Sequence, residues 1–361
     1  MTQIYLDNII FSIQRSGGIS VVWSELLDRL IQDNEFDSKF IEFDNAYNNI
    51  FRKELDIKQN KIIQQYESKS CFWRRYFNVK LPNSKIPFIF HSSYYRVCKN
   101  KEAINITTVH DFTLEYYGKY IEKKIHCWQK YRAIKNSDYI ICISENTKKD
   151  LMKFLPNVDE SKISVIYNGV SEDYFIIDKL QKHNLPFEKE SYIIYIGARY
   201  HYKNFDFAID SVAKSDKKFV IVGNKLSKEE INLLNNKLGI DRYKYLGRVE
   251  NEELNILYNY AYCLLYPSSY EGFGIPIIEA QKSGCPVIAL EGSSVTEIIG
   301  DKTLLIDKLT VQNVLEKLNI ISDSKIRENL IKLGIENAAK YNWGKMYNQI
   351  KDIYSNKKND K

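Results

Sequence analysis

The chain has 361 residues, 44% of them hydrophobic, and carries 52 Lys and Arg against 46 Asp and Glu for a net charge of +6. That length suits two domains and that apolar content fills two cores, which excludes a disordered chain, while the charge is too mild to argue for nucleic acid. The six cysteines (Cys71, Cys98, Cys127, Cys142, Cys263 and Cys285) stand singly with no C-x-x-C pair, so a disulfide framework and a cysteine metal site are both unsupported and a reduced, cytoplasmic compartment fits best.

In chain order, short β-rich runs alternate with helical patterns, which argues for parallel sheets with crossover helices. The N-terminal stretch has no basic flank and no long apolar core, so it does not read as a signal peptide. No window reaches the ~18 apolar residues of a membrane span. The first half predicts strands at Gln3–Leu6, Phe88–His91, Ile104–Val109, Tyr139–Ile143 and Ile163–Ile166. Helices are expected at Ser20–Leu30, Lys119–Lys135 and Glu145–Phe154. The polar stretch Asp178–Glu190 has no period and reads as the linker. The pattern then restarts, with strands at Tyr192–Ile196, Lys218–Val222, Tyr243–Leu246, Cys263–Tyr266 and Pro286–Ala289. Its helices fall at Phe205–Ser215, Lys228–Leu238, Glu252–Tyr260 and Gly274–Ser283.

The most informative segment is Tyr266–Gly284, Y-P-S-S-Y-E-G-F-G-I-P-I-I-E-A-Q-K-S-G. A strand ends in a loop bearing Glu271, Gly272, Phe273 and Gly274, and a helix carrying Glu279 follows. Glycines let a backbone approach a ligand closely, and the start of a helix offers N–H groups to a phosphate. Each part alone is ordinary: Gly-x-Gly is common, a helical Glu is usually solvated, and Pro276 suits any first helical turn. Further segments stand in order along the chain: Q-R-S-G-G-I at Gln14–Ile19, T-V-H-D at Thr108–Asp111, I-S-E-N-T at Ile143–Thr147 and Y-N-G-V at Tyr167–Val170. After the linker come Y-I-G-A-R-Y-H-Y-K-N at Tyr195–Asn204 and G-S-S-V-T-E-I-I at Gly292–Ile299.

Together these segments resemble retaining glycosyltransferase family 4, whose E-x7-E motif matches Glu271 and Glu279. The resemblance runs over nearly the whole chain. It implies an α/β chain of GT-B fold, with two Rossmann-like doubly wound domains facing across a cleft. On that basis residues 1–175 form an acceptor-binding domain and 188–340 a domain for the nucleotide sugar. Residues 341–361 form a helical tail that packs back on the first domain.

By the same resemblance Arg199 and Lys203 grip the donor pyrophosphate, Glu271 contacts the transferred sugar and Glu279 the ribose. His110 faces the donor sugar, with Asp111 either orienting it or capping the next turn, and Gly17-Gly18 lie near the diphosphate. Physical chemistry is consistent with the cations: a leaving diphosphate needs its developing charge neutralised, by Arg bidentately and by Lys as a point charge. The chain has no Asp-x-Asp, so no metal and no cofactor is expected beyond the donor. Glu271 as a nucleophile, in the manner of paired-carboxylate glycosidases, is the rival to a front-face substitution. The start of the chain and the Arg199–Asn204 loop are similar to those of bacterial mannosyl and deoxyhexosyl transferases of surface polysaccharide assembly. They imply GDP-mannose or a related GDP-sugar, with a UDP-hexose as the alternative donor and a lipid-linked glycan as acceptor.

From Arg52 to Lys101 there are 12 Lys and Arg against 3 Asp and Glu, including C-F-W-R-R-Y-F at Cys71–Phe77, and Lys119–Lys135 adds six cations against one acid. Rings beside cations suit an anionic membrane surface or single-stranded nucleic acid, and solvated faces over core aromatics would look the same. With sugar transfer in view the membrane fits better, and no nucleic-acid partner is expected. An NAD-binding fold would need G-x-G-x-x-G after the first strand and a P-loop G-x-x-x-x-G-K-[ST]; neither is present. A non-catalytic nucleotide-sugar sensor stays open, because its binding residues would look the same.

Overall fold

The computed structural model describes residues 2–177 and 185–356, so the expected linker lies outside the described residues over 178–184. Two compact units make up the chain. The first combines Met1–Asn168 with Trp343–Lys361, and the second is Gly169–Asn342.

The first unit is built on seven strands: β1 (Thr2–Asp7), β2 (Phe36–Phe43), β3 (Ile62–Tyr66), β4 (Phe88–Ser92), β5 (Ala103–Val109), β6 (Tyr139–Cys142) and β7 (Ile163–Val165). All pairs are parallel, in the order β3-β2-β1-β4-β5-β6-β7. Parallel sheets are covered on both faces, which is why β4 and β5 are buried along nearly their whole length. Strands β2 and β3 were not expected. In β2, Asp37, Lys39 and Glu42 interrupt the apolar run, and Asp37 is held by Lys61 at 2.5 Å.

The second unit repeats the plan with β8 (Tyr192–Ile196), β9 (Lys218–Val222), β10 (Tyr243–Gly247), β11 (Cys263–Tyr266), β12 (Val287–Leu290) and β13 (Leu305–Ile306). Their order is β10-β9-β8-β11-β12-β13, again all parallel. Ile193, Ile209, Phe219, Ile221, Leu265 and Ile288 fill the core on one side of this sheet. In each unit the strand order reverses direction beside the first strand, between β1 and β4 and between β8 and β11. Ligands in such sheets bind outside the carboxyl ends of the strands at that point. Each unit is therefore Rossmann-like and doubly wound.

The expected end of the first domain at residue 175 is corrected to Asn168. The segment after it is tied to the helix Asn251–Tyr260: Tyr174 Oη donates to Asn251 at 3.2 Å, and the N–H groups of Phe175 and Ile177 donate to Asn255 at 3.1 Å and Asn259 at 2.9 Å. At the other end, the helix Trp343–Asn356 packs against the helix Gly18–Gln32 of the first unit. Tyr347 Oη donates to Asp33 at 2.6 Å, and Tyr354 Oη lies 2.6 Å from His91 Nδ1.

Not every cation counted in the first half is on the surface. Three of its cations lie in the interior: Arg52 pairs with Glu42 at 2.6 Å, Arg96 with Asp7 at 2.6 Å and Lys130 with Glu115 at 2.9 Å, all with side chains at most 1% exposed on the cation side. Buried cations occur only with such partners. Among the described residues, no helix is long and apolar enough to cross a membrane.

Candidate functional site

In the second unit three loops at the carboxyl ends of β8, β11 and β12 converge. The first carries Gly197, Arg199 and Lys203. Gly197 has φ +117, and a Cβ on Gly223 (φ +143) would sit 2.4 Å from the Gly197 carbonyl oxygen, so the β8 and β9 ends meet at a distance no side chain permits. The loop then closes on Asn204, left-handed at φ 51. Its side-chain amide donates to Pro267 O at 2.7 Å and to Ser269 Oγ at 2.8 Å, while Ser269 N–H donates to Tyr202 O at 2.8 Å. The β8 and β11 loops are thereby laced together.

This lacing brings Lys203 onto the carboxylate of Glu271, with which it forms an ion pair. Both side chains are largely buried, 17% and 12% exposed. The third loop supports Glu271 from below: Ser293 Oγ accepts from Glu271 N–H at 3.0 Å, and Ser294 Oγ is 2.9 Å from both the Glu271 and the Phe273 carbonyl oxygens. Gly274 follows in the left-handed region at φ 101 and opens the helix Ile275–Lys282, which has no side-chain cap.

Arg199 is braced by its own unit. Its Nε donates to Glu230 at 2.7 Å, and Nη2 reaches the carbonyls of Asn224 at 2.7 Å and Lys225 at 2.8 Å. Nη1 is buried with no hydrogen-bond partner among the described residues. A buried guanidinium N–H without an acceptor is costly, and a phosphate oxygen would satisfy it. Glu279 sits one helical turn in, between two tyrosines, with Tyr258 Oη donating to it at 3.2 Å. Burial lifts its carboxyl to about 7, against the hydrogen bonds from Tyr258 and Tyr174, which hold it down.

In the first unit His110 follows β5 and is 7% exposed. Burial, with a smaller contribution from Lys130 and against the pull of Asp111, pushes its imidazole down to about 4, so it is neutral near pH 7. It lines a small apolar cavity with Trp23, Ile141, Ile166, Asn168 and Met346. Asn168 Oδ1 is buried there without a hydrogen-bond partner among the described residues. Asp111 caps the turn after it, accepting from Thr113 N–H at 2.8 Å. Its carboxyl is lowered: burial opposes ionisation, but Lys130 and that N–H outweigh it.

Gly17 and Gly18 stand just before and at the start of the helix Gly18–Gln32. Gly17 is extended at φ 166, a conformation open to any residue, so a tight turn does not account for the pair. A Cβ on Gly18 would meet nothing within 4 Å. The space above this residue is open.

Within the second unit the structure joins Lys203 to Glu271 and sets Gly272, Phe273, Gly274 and Glu279 on the loop and helix that follow, while Arg199 is turned to Glu230 and the carbonyls of Asn224 and Lys225. In the first unit His110 follows β5, and Gly17 and Gly18 stand at the start of the helix Gly18–Gln32. Sequence reasoning did not assign Asn204, Ser293, Ser294, Tyr174 or Tyr258. Asn204 and the two serines lie in the quoted segments, but their roles are backbone braces that only the folded loops reveal. Among the described residues no three His, Cys, Asp or Glu side chains converge as metal ligands.

Comparison with known proteins agrees with this architecture. Residues 68–174 match glycosyltransferase family 4, and residues 176–357 match the family described as glycosyl transferases group 1. The chain is 32% identical over 230 residues to the O-antigen chain mannosyltransferase RfbU of Salmonella typhimurium, an alignment spanning 62% of this chain and 63% of that protein, less than two thirds of either. It is 25% identical over 290 residues to the O-antigen chain mannosyltransferase B of Escherichia coli, covering 74% of each. Among solved structures it is similar to Anabaena HepE with UDP and glucose (14% identity, TM-score 0.72, 99% of this chain and 100% of that one). It is also similar to sucrose-phosphate synthase of Thermosynechococcus elongatus (16% identity, TM-score 0.73, 99% of each chain). The fold is GT-B, and the chain belongs to the glycosyl transferases group 1 family, with a family 4 glycosyltransferase region preceding that match.

Proposed function

We propose that this protein is a retaining hexosyltransferase that moves mannose or a related sugar from a GDP-linked donor to a lipid-linked glycan in bacterial surface polysaccharide assembly, such as O-antigen or capsule, at the cytoplasmic side of the cell. The observation that carries the reading is the ion pair of Lys203 with Glu271 where the β8 and β11 loops meet, at the point where the strand order of the second sheet reverses, with Arg199 on the same β8 loop. Such a point binds nucleotides, and these groups supply positive charge to a diphosphate and acceptors to sugar hydroxyls. Mannose is favoured over a UDP-hexose because both relatives named above are mannosyltransferases.

In this reading Lys203 and Arg199 Nη1 take the charge that develops as the bond from C1 to the phosphate oxygen breaks, and no metal ion is required. Glu271 accepts hydrogen bonds from the transferred sugar and Glu279 from the ribose. His110, neutral near pH 7, hydrogen-bonds the donor sugar. Gly17, Gly18, Gly272, Phe273 and Gly274 offer backbone to the diphosphate. The acceptor oxygen bonds to C1 on the face the leaving group departs, and its proton passes to the departing phosphate oxygen.

The test is a melting experiment with GDP, UDP, ADP, TDP and CMP, with and without EDTA, followed by turnover of GDP-mannose on a lipid-linked glycan. A ligand at a hundred times its Kd stabilises by about 2.7 kcal/mol, which reads as a few degrees. A GDP-selective, EDTA-insensitive shift and an α-linked product are expected. A nucleotide that binds without turnover on any glycan would replace the enzyme with a sensor. A β-linked product would overturn retention.

A further inference from the structure

The helix Tyr120–Lys135 turns most of its large apolar side chains outward. Its buried residues are Gln129, Lys130, Ala133 and Ile134. Tyr120, Ile121, Ile125 and Trp128, by contrast, are 71%, 72%, 45% and 52% exposed. The spacing of Ile121, Ile125 and Trp128 puts them on one face. Packing among the described residues gives no reason for that face, since an exposed isoleucine and tryptophan stripe stabilises nothing in water.

A second element extends it. Gln129 donates to the Arg75 carbonyl at 2.7 Å, which holds the short helix Cys71–Arg74 and the turn after it alongside. There Trp73 and Phe77 are 67% and 63% exposed. Cations border both elements: Lys119, Lys124 and Arg74 are exposed. Arg132 lies 4.6 Å from the Trp128 ring. Its Nε and Nη2, and Nε of Arg75, are buried with no hydrogen-bond partner among the described residues.

We infer that this face of the first unit docks on an anionic lipid bilayer, with Ile121, Ile125, Trp128, Trp73 and Phe77 in the headgroup and upper acyl layer and the exposed Lys119, Lys124 and Arg74 on lipid phosphates. Indole rings and arginines settle at that depth, and the surrounding lysines are drawn to its negative potential. Single-stranded nucleic acid fits less well, because two isoleucines in the middle of the stripe offer no stacking surface for a base.

The tryptophans make the test direct. Of the four, Trp23 and Trp343 are 4% exposed, so a change in emission on docking reports Trp73 and Trp128. The full chain is mixed with vesicles of phosphatidylcholine containing about one-third phosphatidylglycerol, and with phosphatidylcholine alone. On the anionic vesicles the protein should sediment, its emission should shift to the blue, and brominated acyl chains should quench it. Ile121→Ser with Ile125→Ser should lower the partition by roughly tenfold or more. Trp73→Phe with Trp128→Phe should keep the sedimentation and lose the shift.

Equal binding of the double serine variant, no preference for anionic vesicles, or the same blue shift with an oligonucleotide but not with vesicles would overturn the proposal. The melting response to GDP, measured on the same variants, reads the donor site separately and shows that the fold is kept.

Discussion

Lys203 and Glu271, 68 residues apart in sequence, form an ion pair where the β8 and β11 loops meet. In the proposed function a diphosphate competes with that carboxylate for the ammonium, and a Glu271 oxygen it frees accepts from the sugar. Lys203→Ala then removes the point charge proposed to meet the developing phosphate charge. Its kcat/KM should fall by about 10²-fold or more. Lys203→Arg, which keeps the charge in another shape, should recover part of it. Steady-state kinetics of the two variants decide, and a wild-type value for Lys203→Ala would remove the phosphate assignment.

Glu279 gives a pH signature. Its carboxyl is raised from an ordinary 4.5 to about 7, so between those values the folded protein holds a proton that the unfolded chain has lost. The sign follows: this residue makes stability fall as pH rises through that window, with no further loss above about 7. Donor binding runs the other way. A carboxylate accepts from ribose hydroxyls better than the neutral acid does, so GDP affinity should tighten as pH rises through about 7. Glu279→Gln should lose that component, leaving only the titration of the nucleotide itself. Tyr258→Phe removes a hydrogen bond that holds the carboxyl down, and its midpoint should move higher. Calorimetric titration across pH 5.5 to 8.5, a span of roughly 1.5 units either side of that midpoint, checks all three.

The second unit's strands and the loops at their ends were largely legible in the sequence, the first unit's interior much less so. Gly197, Lys203, Glu271 and Glu279 lie in short segments where backbone freedom and charge are local properties. The strands β8, β9 and β11 have unbroken apolar runs, so their ends, and the loops on them, could be placed. Strand β2 escaped because Asp37, Lys39 and Glu42 break its pattern; one of these charges, Glu42, is satisfied by Arg52 from inside the fold. Arg52 and Arg96 likewise counted as surface charge, because their partners Glu42 and Asp7 lie 10 and 89 residues away. Pairing at such range is a consequence of topology, and no window along the chain contains it. Ser293 and Ser294 stood inside a quoted segment, yet their role is to hold the backbone of a different loop.

Gly18 separates fold from function. It is the first residue of a helix, its added Cβ meets nothing within 4 Å, and its φ does not lie in the left-handed region. Alanine is the better helix former, so Gly18→Ala should leave the melting temperature unchanged or raise it slightly. If the open space receives the diphosphate, the added methyl group occupies it, and kcat/KM should drop by about tenfold or more at full stability. Unchanged activity would mean that the space is only solvent.

Ser294 tests the support under Glu271. Its hydroxyl is fully buried and lies between the carbonyls of Glu271 and Phe273. Ser294→Ala removes the one hydroxyl proton these two carbonyls share, at a cost of about 1–3 kcal/mol. Melting should fall by several degrees. The donor KM should also rise, because Glu271 and the start of the helix Ile275–Lys282 lose their fixed height. Loss of stability with an unaltered KM would make Ser294 a core residue and nothing more.

The C-terminal helix makes the last case. Trp343, Met346, Tyr347, Ile350 and Tyr354 are all at most 7% exposed, and burying each such side chain contributes about 1.5–3 kcal/mol. Their sum is on the order of the whole stability of a domain. The helix also satisfies His91, which is fully buried, lies 2.6 Å from Tyr354 Oη and is held neutral by that burial. Ending the chain after Asn342 should therefore unfold the first unit while the second, which is Gly169–Asn342, keeps its own core and sheet. Calorimetry should show one unit melting where the intact chain melts both, with the GDP response retained by the unit that carries Lys203 and Glu279. Tyr354→Phe is the milder form. It removes one hydrogen bond from His91 and should cost about 1–3 kcal/mol without abolishing the fold. A truncated chain that still melts as the full protein does would show that the helix rides on the first unit and does not complete it.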